Sequence, residues 1–275
     1  MSYLSLSTWS LHRLLGPLRW TAWDAESGTR VTKVQEQPQC LELLELPAEA
    51  ARRGYRAVEI CHFHFPSVEP AYTSALQARF EAAGIAFDTL LLDYGDLTSG
   101  DARRVEADLA YMKEWIRTAA AAGARQIRII AGDAPPGDDD AIRRSAGHLN
   151  ALSRFAAPLG VRVVSENFRD LTSTGPSCAK LLSLADDAVW FVTDFGNFHG
   201  PDKVEQFAAI LPRSVSVHAK AHYDADGQPD EPEFRRCLDA AKASGFDGAY
   251  VLIYDGPGDM WAGLERIRAI VEAYL

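Results

Sequence analysis

Two carboxylates and one imidazole follow or end predicted strands in the second half of the chain. Glu166, Asp194 and His218 each lie at or near the end of a short apolar run typical of a buried β-strand. Carboxylate oxygens with one imidazole nitrogen suit Mn²⁺, Mg²⁺, Co²⁺ or Zn²⁺. Without a cation, two carboxylates held close together repel each other, and one tends to take up a proton. The residues alone leave two alternatives, a divalent metal site and a hydrogen-bonded cluster without metal.

Eight short apolar runs alternate with longer amphipathic stretches. The predicted strands are residues 3–8, 57–61, 86–92, 126–131, 162–165, 190–193, 214–219 and 249–254. The predicted helices include residues 101–122, 139–158, 204–210, 231–244 and 260–274. Continuous apolar strands are typical of parallel sheets that are covered on both faces. The pattern predicts a single-domain α/β protein over residues 1–275, a (β/α)₈ TIM barrel, with an open eight-stranded sheet as the competing layout.

Glycines mark several of the predicted helix-to-strand junctions. Gly54, Gly84, Gly123, Gly160 and Gly245 each follow a helical stretch and precede a strand. Glycine readily adopts the left-handed conformation that ends a helix. Five such junctions favour serial βα units. In a barrel of this kind the carboxyl ends of neighbouring strands lie about 4.8 Å apart, which would let the three candidate ligands converge.

Other polar and aromatic residues fall at the same predicted edge of the barrel. We consider Lys220 and Asp255 as catalytic candidates, together with Glu166. The candidate substrate-binding residues are Trp9, Glu59, His62, His64, Asn197 and His222. Each also has a plainer interpretation, because carboxylates pair with cations, tryptophans pack, and histidines near a barrel mouth are often only solvated. Arg128, inside a strand, is interpreted as a member of a structural ion pair.

Composition limits the classes of partner. The 275 residues carry a formal net charge of -10, and no run of Lys and Arg exceeds two residues. Nucleic-acid binders usually carry a basic stripe, and an acidic surface does not favour anionic lipid, so we expect neither partner. The four cysteines include no CxxC pair, and the N-terminus lacks a signal-peptide pattern. We therefore expect reduced thiols and a cytoplasmic location.

One segment interrupts the alternation of strands and helices. Residues 11–42 form a long insertion after the first strand and carry Trp20 and Trp23. In a barrel this insertion would lie on the catalytic face. Two interpretations remain open, a lid or aromatic wall for a substrate, and a packing or homo-oligomer contact.

Five segments carry a family resemblance that covers most of the chain except the insertion. The segments GYRAVEI, SENF, VTDFGN, VSVHAKAH and GFDGAYVLIYDGPGD, in this order, resemble the xylose-isomerase-like TIM barrels. That superfamily includes sugar phosphate isomerases and epimerases and AP endonucleases. The resemblance implies a divalent metal held by Glu, Asp, His and a further acidic residue from strands five to eight. The first three map onto Glu166, Asp194 and His218.

The fourth position departs from the family pattern. The last strand has Ile253 where the resemblance implies an acidic ligand, and isoleucine cannot bind a metal. Asp255 lies two residues further along, on the same face of an extended strand, and is the candidate substitute. The alternative is that Asp255 only begins the following turn. Loss of one acid also removes one base of a two-base epimerase, so we favour aldose–ketose isomerisation over epimerisation.

Three functions are weighed on this basis. The first is a metal-dependent sugar or polyol isomerase or epimerase that abstracts a proton next to a carbonyl. The second is a non-catalytic ligand-binding protein on the same scaffold, which the loss of the fourth ligand would allow. The third is an AP endonuclease-type nuclease, which the acidic balance disfavours.

Overall fold

Eight parallel strands close into a barrel. The computed structural model describes residues 1–275. The strands are β1 (Tyr3–Ser7), β2 (Leu18–Asp24), β3 (Thr29–Gln35), β4 (Ala57–Cys61), β5 (Ala86–Leu92), β6 (Gln126–Ile129), β7 (Arg162–Glu166), β8 (Trp190–Asp194), β9 (Ser214–Lys220) and β10 (Ala249–Ile253). Around the barrel they run β1, β10, β9, β8, β7, β6, β5, β4, and β1 also pairs with β4. The predicted TIM barrel is therefore confirmed, and the open sheet is excluded.

Helices lie between the barrel strands. They are α1 (Leu46–Arg52), α2 (Pro70–Ala83), α3 (Ala102–Ala121), α4 (Asp139–Ala156), α5 (Gly175–Leu184), α6 (Lys203–Gln206), α7 (Glu231–Ala243) and α8 (Met260–Val271). The helix expected over residues 204–210 is only the single turn of α6, followed by 3₁₀ turns over Phe207–Ala209 and Leu211–Arg213. Pro212, which has no N–H, interrupts the α-helical hydrogen bonding there. None of the helices combines the length and the apolar run that a membrane crossing requires.

The helix-ending glycines have the predicted conformation. Gly84 follows α2 directly with φ +68°, and Gly160 follows the turn after α4 with φ +73°. At these angles a side chain would be strained, so glycine allows each helix to end and the chain to enter the next strand.

The insertion after β1 forms an antiparallel hairpin outside the barrel. Strands β2 and β3 pair from Leu18↔Gln35 to Asp24↔Thr29. Their sequences, LRWTAWD and TRVTKVQ, are rich in the β-branched and aromatic residues that favour strands. At the turn, Asp24 accepts hydrogen bonds from the Glu26 amide at 3.1 Å and the Ser27 hydroxyl at 2.7 Å.

The buried apolar residues form two separate clusters. The main core fills the barrel and the space under its helices. The second cluster has only four buried members, Leu18, Cys61, Phe63 and Leu91, and Trp9 and Trp20 pack against it. Since Leu18 and Trp20 belong to the hairpin, this small cluster joins the hairpin to the mouth of the barrel.

Candidate metal centre and cavity

The three predicted ligands meet at the carboxyl ends of β7, β8 and β9. Glu166 and Asp194 are the last residues of their strands, and Asp194 lies in register with His218. His218 Nδ1 lies 3.1 Å from Glu166 Oε1 and 3.3 Å from Asp194 Oδ2. The ligand atoms of the three residues lie within 4.8 Å of one another, and all three residues are buried. The structure thus brings together the set that the sequence selected.

Glu59 orients His218 from behind. The carboxylate Oε2 of Glu59 lies 2.8 Å from His218 Nε2, and Thr89 Oγ1 donates to Glu59 Oε1 at 2.8 Å. Gln126 Nε2 in turn donates to Thr89 Oγ1 at 3.0 Å. We assign the Nε2 proton to the bond with Glu59, which leaves Nδ1 free to face the other two ligands. Glu59 is fully buried. It therefore contacts the candidate ligand and not the cavity, where we expected it to bind substrate.

The backbone around Asp194 holds its side chain in place. Asn167 makes two hydrogen bonds to the Asp194 backbone, accepting from its N–H at 2.7 Å and donating to its carbonyl at 2.9 Å. The Gly196 amide donates to Asp194 Oδ1 at 2.6 Å. One carboxylate oxygen is therefore occupied, and the other faces His218. This role of Asn167 was not predicted from the sequence, although the residue lies within the SENF segment.

The donor atoms and charges of the cluster fit a bound cation. Burial alone would lower the pKa of His218, but the charges of Glu166 and Glu59 and the hydrogen bond with Asp194 outweigh it and raise that pKa well above its ordinary value. Glu166 Oε2 is buried and makes no hydrogen bond. Two carboxylates around one imidazole nitrogen, with a carboxylate oxygen unpaired, fit the donor set of a divalent ion. Glu166, Asp194 and His218 are the residues that would hold it.

Arg128 crosses from the candidate ligands to the opposite wall. Its Nη2 donates to Asp93 Oδ1, and its Nε lies 3.1 Å from Glu166 Oε2 without the angle of a hydrogen bond. The guanidinium carbon lies 4.9 Å from the centre of the Phe168 ring. Its Nε and Nη1 make no hydrogen bond. Arg128 is thus an ion-pair member, as the sequence suggested, and it also holds positive charge beside Glu166.

A cavity of about 310 Å³ opens beside the ligand cluster. The polar side of its wall is formed by Asp93, Arg128, Glu166, Arg169, Asp194, Asn197, His218, Lys220 and Asp255. The remaining wall is formed by Ser7, Trp9, Trp20, Thr21, Cys61, Phe63, Leu91, Phe168 and Ile253. We call the part around Glu166, Asp194 and His218 the metal half, and the part around Trp9, Trp20 and Phe63 the aromatic half.

The barrel agrees with the comparisons with known proteins. The family model described as xylose isomerase-like TIM barrel matches residues 47–270. The chain belongs to this family. The resemblance seen in the sequence is therefore confirmed, and the match begins after the hairpin. No curated protein matches the chain.

Solved structures share the fold of this family member at low sequence identity. An L-ribulose 3-epimerase superposes with a TM-score of 0.71 at 17% identity, covering 100% of this chain and 95% of that one. The probable 3-DHS dehydratase AsbF of Bacillus anthracis gives 0.70 at 16%, covering 98% and 99%. A D-allulose 3-epimerase from Methylomonas sp. gives 0.70 at 15%, covering 99% and 98%. Identities this low show the fold alone.

The position of the implied fourth ligand is apolar. Ile253 lines the cavity and pairs in register with Lys220 on β9. Asp255 lies outside the group of converging ligand atoms, and its Oδ2 contacts Lys220 Nζ at 2.8 Å. The structure therefore does not bring the expected substitute to the candidate metal position, because the ammonium of Lys220 holds it. The stem of Lys220 crosses Gly196, where an added Cβ would lie 2.7 Å from Lys220 Cδ.

The other predicted site residues divide into two groups. Trp9 and Asn197 line the cavity, and Asn197 Nδ2 lies 3.4 Å from Glu166 Oε1. His62, His64 and His222 are not part of the cavity wall. His222 is half-exposed, with Nε2 lying 3.6 Å from Glu233 Oε2.

His62 and His64 are buried and neutral. His62 Nδ1 accepts from the Asp93 amide at 3.2 Å, and Nε2 lies 3.3 Å from the hydroxyl of Thr21. His64 Nδ1 lies 2.9 Å from Thr8 Oγ1. Burial lowers the pKa of His62 to about 4 and that of His64 to about 3. These histidines connect the barrel to its neighbouring segments, and neither lines the cavity beside the ligand cluster.

Proposed function

We propose that the chain is a metal-dependent sugar or polyol isomerase or epimerase that removes a proton from a carbon next to a carbonyl group. The observation that carries the proposal is the convergence of Glu166, Asp194 and His218 beside a cavity at the barrel mouth. A divalent ion bound there would polarise the carbonyl and hydroxyl oxygens of the substrate. Membership in the family and neighbours named as sugar epimerases support the substrate class.

Glu166 is the base in this proposal. Its Oε1 faces His218, whereas its Oε2 is buried without a hydrogen bond and lies beside Arg128. The guanidinium of Arg128 lies beside this oxygen, and a carboxylate is the form of the side chain that takes up a proton as a general base. Glu166 would thus help to hold the ion with one oxygen and would take the proton from the reacting carbon with the other.

Lys220 and Asp255 are proposed to act as a pair on the substrate oxygens. Lys220 Nζ lies 2.8 Å from Asp255 Oδ2, and both side chains line the cavity. The ammonium can donate a hydrogen bond to a substrate oxygen while the carboxylate fixes its position. Neither residue belongs to the ligand group.

The absence of an acid at Ile253 favours isomerisation. A two-base epimerase needs a second carboxylate across the reacting carbon from the first. Here that position is apolar, and Asp255 is engaged by Lys220. A one-base isomerase returns the proton to the neighbouring carbon on the same face, which Glu166 alone can do. We therefore propose aldose–ketose isomerisation as the leading reaction.

A non-catalytic binding protein remains the second candidate, because of Ile253. Against it, the cluster retains its supporting contacts from Glu59, Asn167 and Gly196. A scaffold that only binds ligand has no need of an oriented His218 and an unpaired Glu166 oxygen. The nuclease hypothesis gains no support, because the cavity measures only about 310 Å³ and the net charge of the chain is negative.

Two measurements test the proposal in sequence. The first is metal analysis of the purified protein, followed by melting curves with Mn²⁺, Co²⁺, Mg²⁺ and Zn²⁺, since an ion that binds the folded state raises Tm. The second is incorporation of solvent deuterium into a panel of ketoses, with NMR identification of the products as isomers, epimers or dehydrated compounds. Absence of metal binding and of exchange would reject the enzyme in favour of the binding protein.

A further inference from the structure

The aromatic half of the cavity depends on a segment outside the family match. The hairpin contributes Trp20 and Thr21 to the cavity wall, whereas the matched region begins at residue 47. Trp20 packs with Trp9 against the small cluster that contains Phe63 and is separate from the main core. This wall is therefore built by a segment that lies outside the residues that the family model matches.

The indole of Trp20 is held in a defined orientation. Its ring centre lies 4.1 Å from that of Phe63 and 6.3 Å from that of Trp9. Its Nε1 donates to Gln35 Oε1 across the hairpin at 3.0 Å. The polar atom of the ring is thus satisfied within the hairpin, and the rest of the ring offers an apolar surface.

The hairpin is fixed to the barrel by contacts with α3. Arg30 lies over the Tyr111 ring at 4.4 Å and donates to the Ala107 carbonyl at 2.7 Å. The hydroxyl of Thr21 lies 2.9 Å from that of Tyr111. With its polar groups used in this way, the hairpin forms a fixed wall. A preformed wall costs little ordering when a ligand binds.

We propose that the β2–β3 hairpin selects the length of the substrate. This inference rests on the proposed function. Carbons beyond the reacting pair would extend from the metal half toward Trp9 and Trp20, where their C–H surface would be buried against the rings. An added carbon in an apolar pocket typically improves kcat/KM by about tenfold or more. The chain should therefore prefer ketoses of five or six carbons to a three-carbon α-hydroxyketone that reaches only the metal half.

The test compares deuterium exchange into hydroxyacetone with exchange into D-ribulose and D-fructose. We expect the wild type to show a higher kcat/KM for the longer sugars. In Trp20→Ala, the ratio of kcat/KM for a long sugar to kcat/KM for hydroxyacetone should fall about tenfold, mostly through a higher KM for the long sugar. Trp20→Phe, which keeps an aromatic ring, should recover part of the ratio.

Trp23→Phe is the matched control. Trp23 lies on the same strand, packs against the main core and does not line the cavity, so its replacement should leave the ratio unchanged. The metal-induced rise in Tm, measured for every variant, shows that each is folded and binds the ion.

The outcomes separate the two proposals. An unchanged ratio in Trp20→Ala, or equal losses for the long sugars and hydroxyacetone, would overturn the role of the hairpin while leaving the proposed function intact. A wild type that exchanges none of the ketoses would overturn the proposed function, and the hairpin proposal with it. A lower ratio with exchange into hydroxyacetone preserved supports both.

Discussion

The two halves of the cavity are built in different ways. In the metal half, Glu166, Asp194 and His218 stand on neighbouring strands whose parallel pairing fixes their relative positions. In the aromatic half, Trp20 stands on a hairpin that side-chain contacts attach to the barrel. We infer from this difference that the barrel sets the chemistry, whereas the attached hairpin sets the selection of substrate. Variants in each half test that division.

The largest expected effect lies in the metal half. Glu166→Gln keeps the size of the side chain and removes the charge that takes up the proton. We expect solvent-deuterium exchange to fall by about 10²- to 10⁴-fold, the usual contribution of a general base. Glu265→Gln, at an exposed position on α8, is the control. Exchange that persists in Glu166→Gln at the wild-type rate would assign the base to another residue.

The next effect concerns His62, which lies behind the aromatic half in contact with Thr21 and Phe63, and its influence on acid stability. Burial lowers the pKa of His62 to about 4, although Asp93 nearby acts in the opposite direction. An unfolded histidine titrates near 6.5, so between these values the unfolded state binds more protons than the folded state. The stability contributed by neutral His62 is thus present above pH 6.5 and is lost as the pH falls toward 4. We expect a loss of about 2–3 kcal/mol between pH 7 and 4.5 from this residue.

Urea unfolding at both pH values measures this loss. His62→Gln should lose less stability on acidification than the wild type, whereas the half-exposed His222→Gln should follow the wild type. Parallel losses in His62→Gln and the wild type would show that His62 titrates normally in the folded protein.

The ease of prediction also differs between the halves. The barrel and the meeting of its three ligands were predicted because strand ends recur at fixed places in a βα repeat. The roles of Glu59 and Asn167 were not, since a hydrogen bond to His218 Nε2 or to a backbone amide leaves no pattern in one sequence. The same holds for the Lys220–Asp255 contact, which depends on side-chain conformations after the last regular strand residue. The segment 11–42 gave a choice between wall and packing element, and the structure contains parts of both, because Trp20 lines the cavity and Trp23 meets the main core.

A smaller effect in the metal half tests the support behind the ligands. Glu59→Gln keeps a hydrogen-bonding group next to His218 Nε2 but removes the carboxylate that fixes the imidazole tautomer. Loss of such a partner typically costs about 10- to 100-fold in metal affinity. Calorimetric titration with Mn²⁺ measures this, with Glu265→Gln again as control. Equal affinity in the wild type and Glu59→Gln would mean that the barrel backbone alone orients His218.

The smallest effect tests whether the hairpin must be fixed in place to act. Arg30→Ala removes the stacking on Tyr111 and the hydrogen bond to the Ala107 carbonyl, while Trp20 itself is unchanged. A cation–π contact at a partly exposed site contributes about 1 kcal/mol, so we expect a rise of about fivefold in KM for D-fructose. Lys33→Ala, at an exposed position on β3, is the control. Hydrogen exchange of residues 18–35 should quicken in Arg30→Ala alone, and an unchanged KM despite that faster exchange would show that the wall tolerates a mobile hairpin.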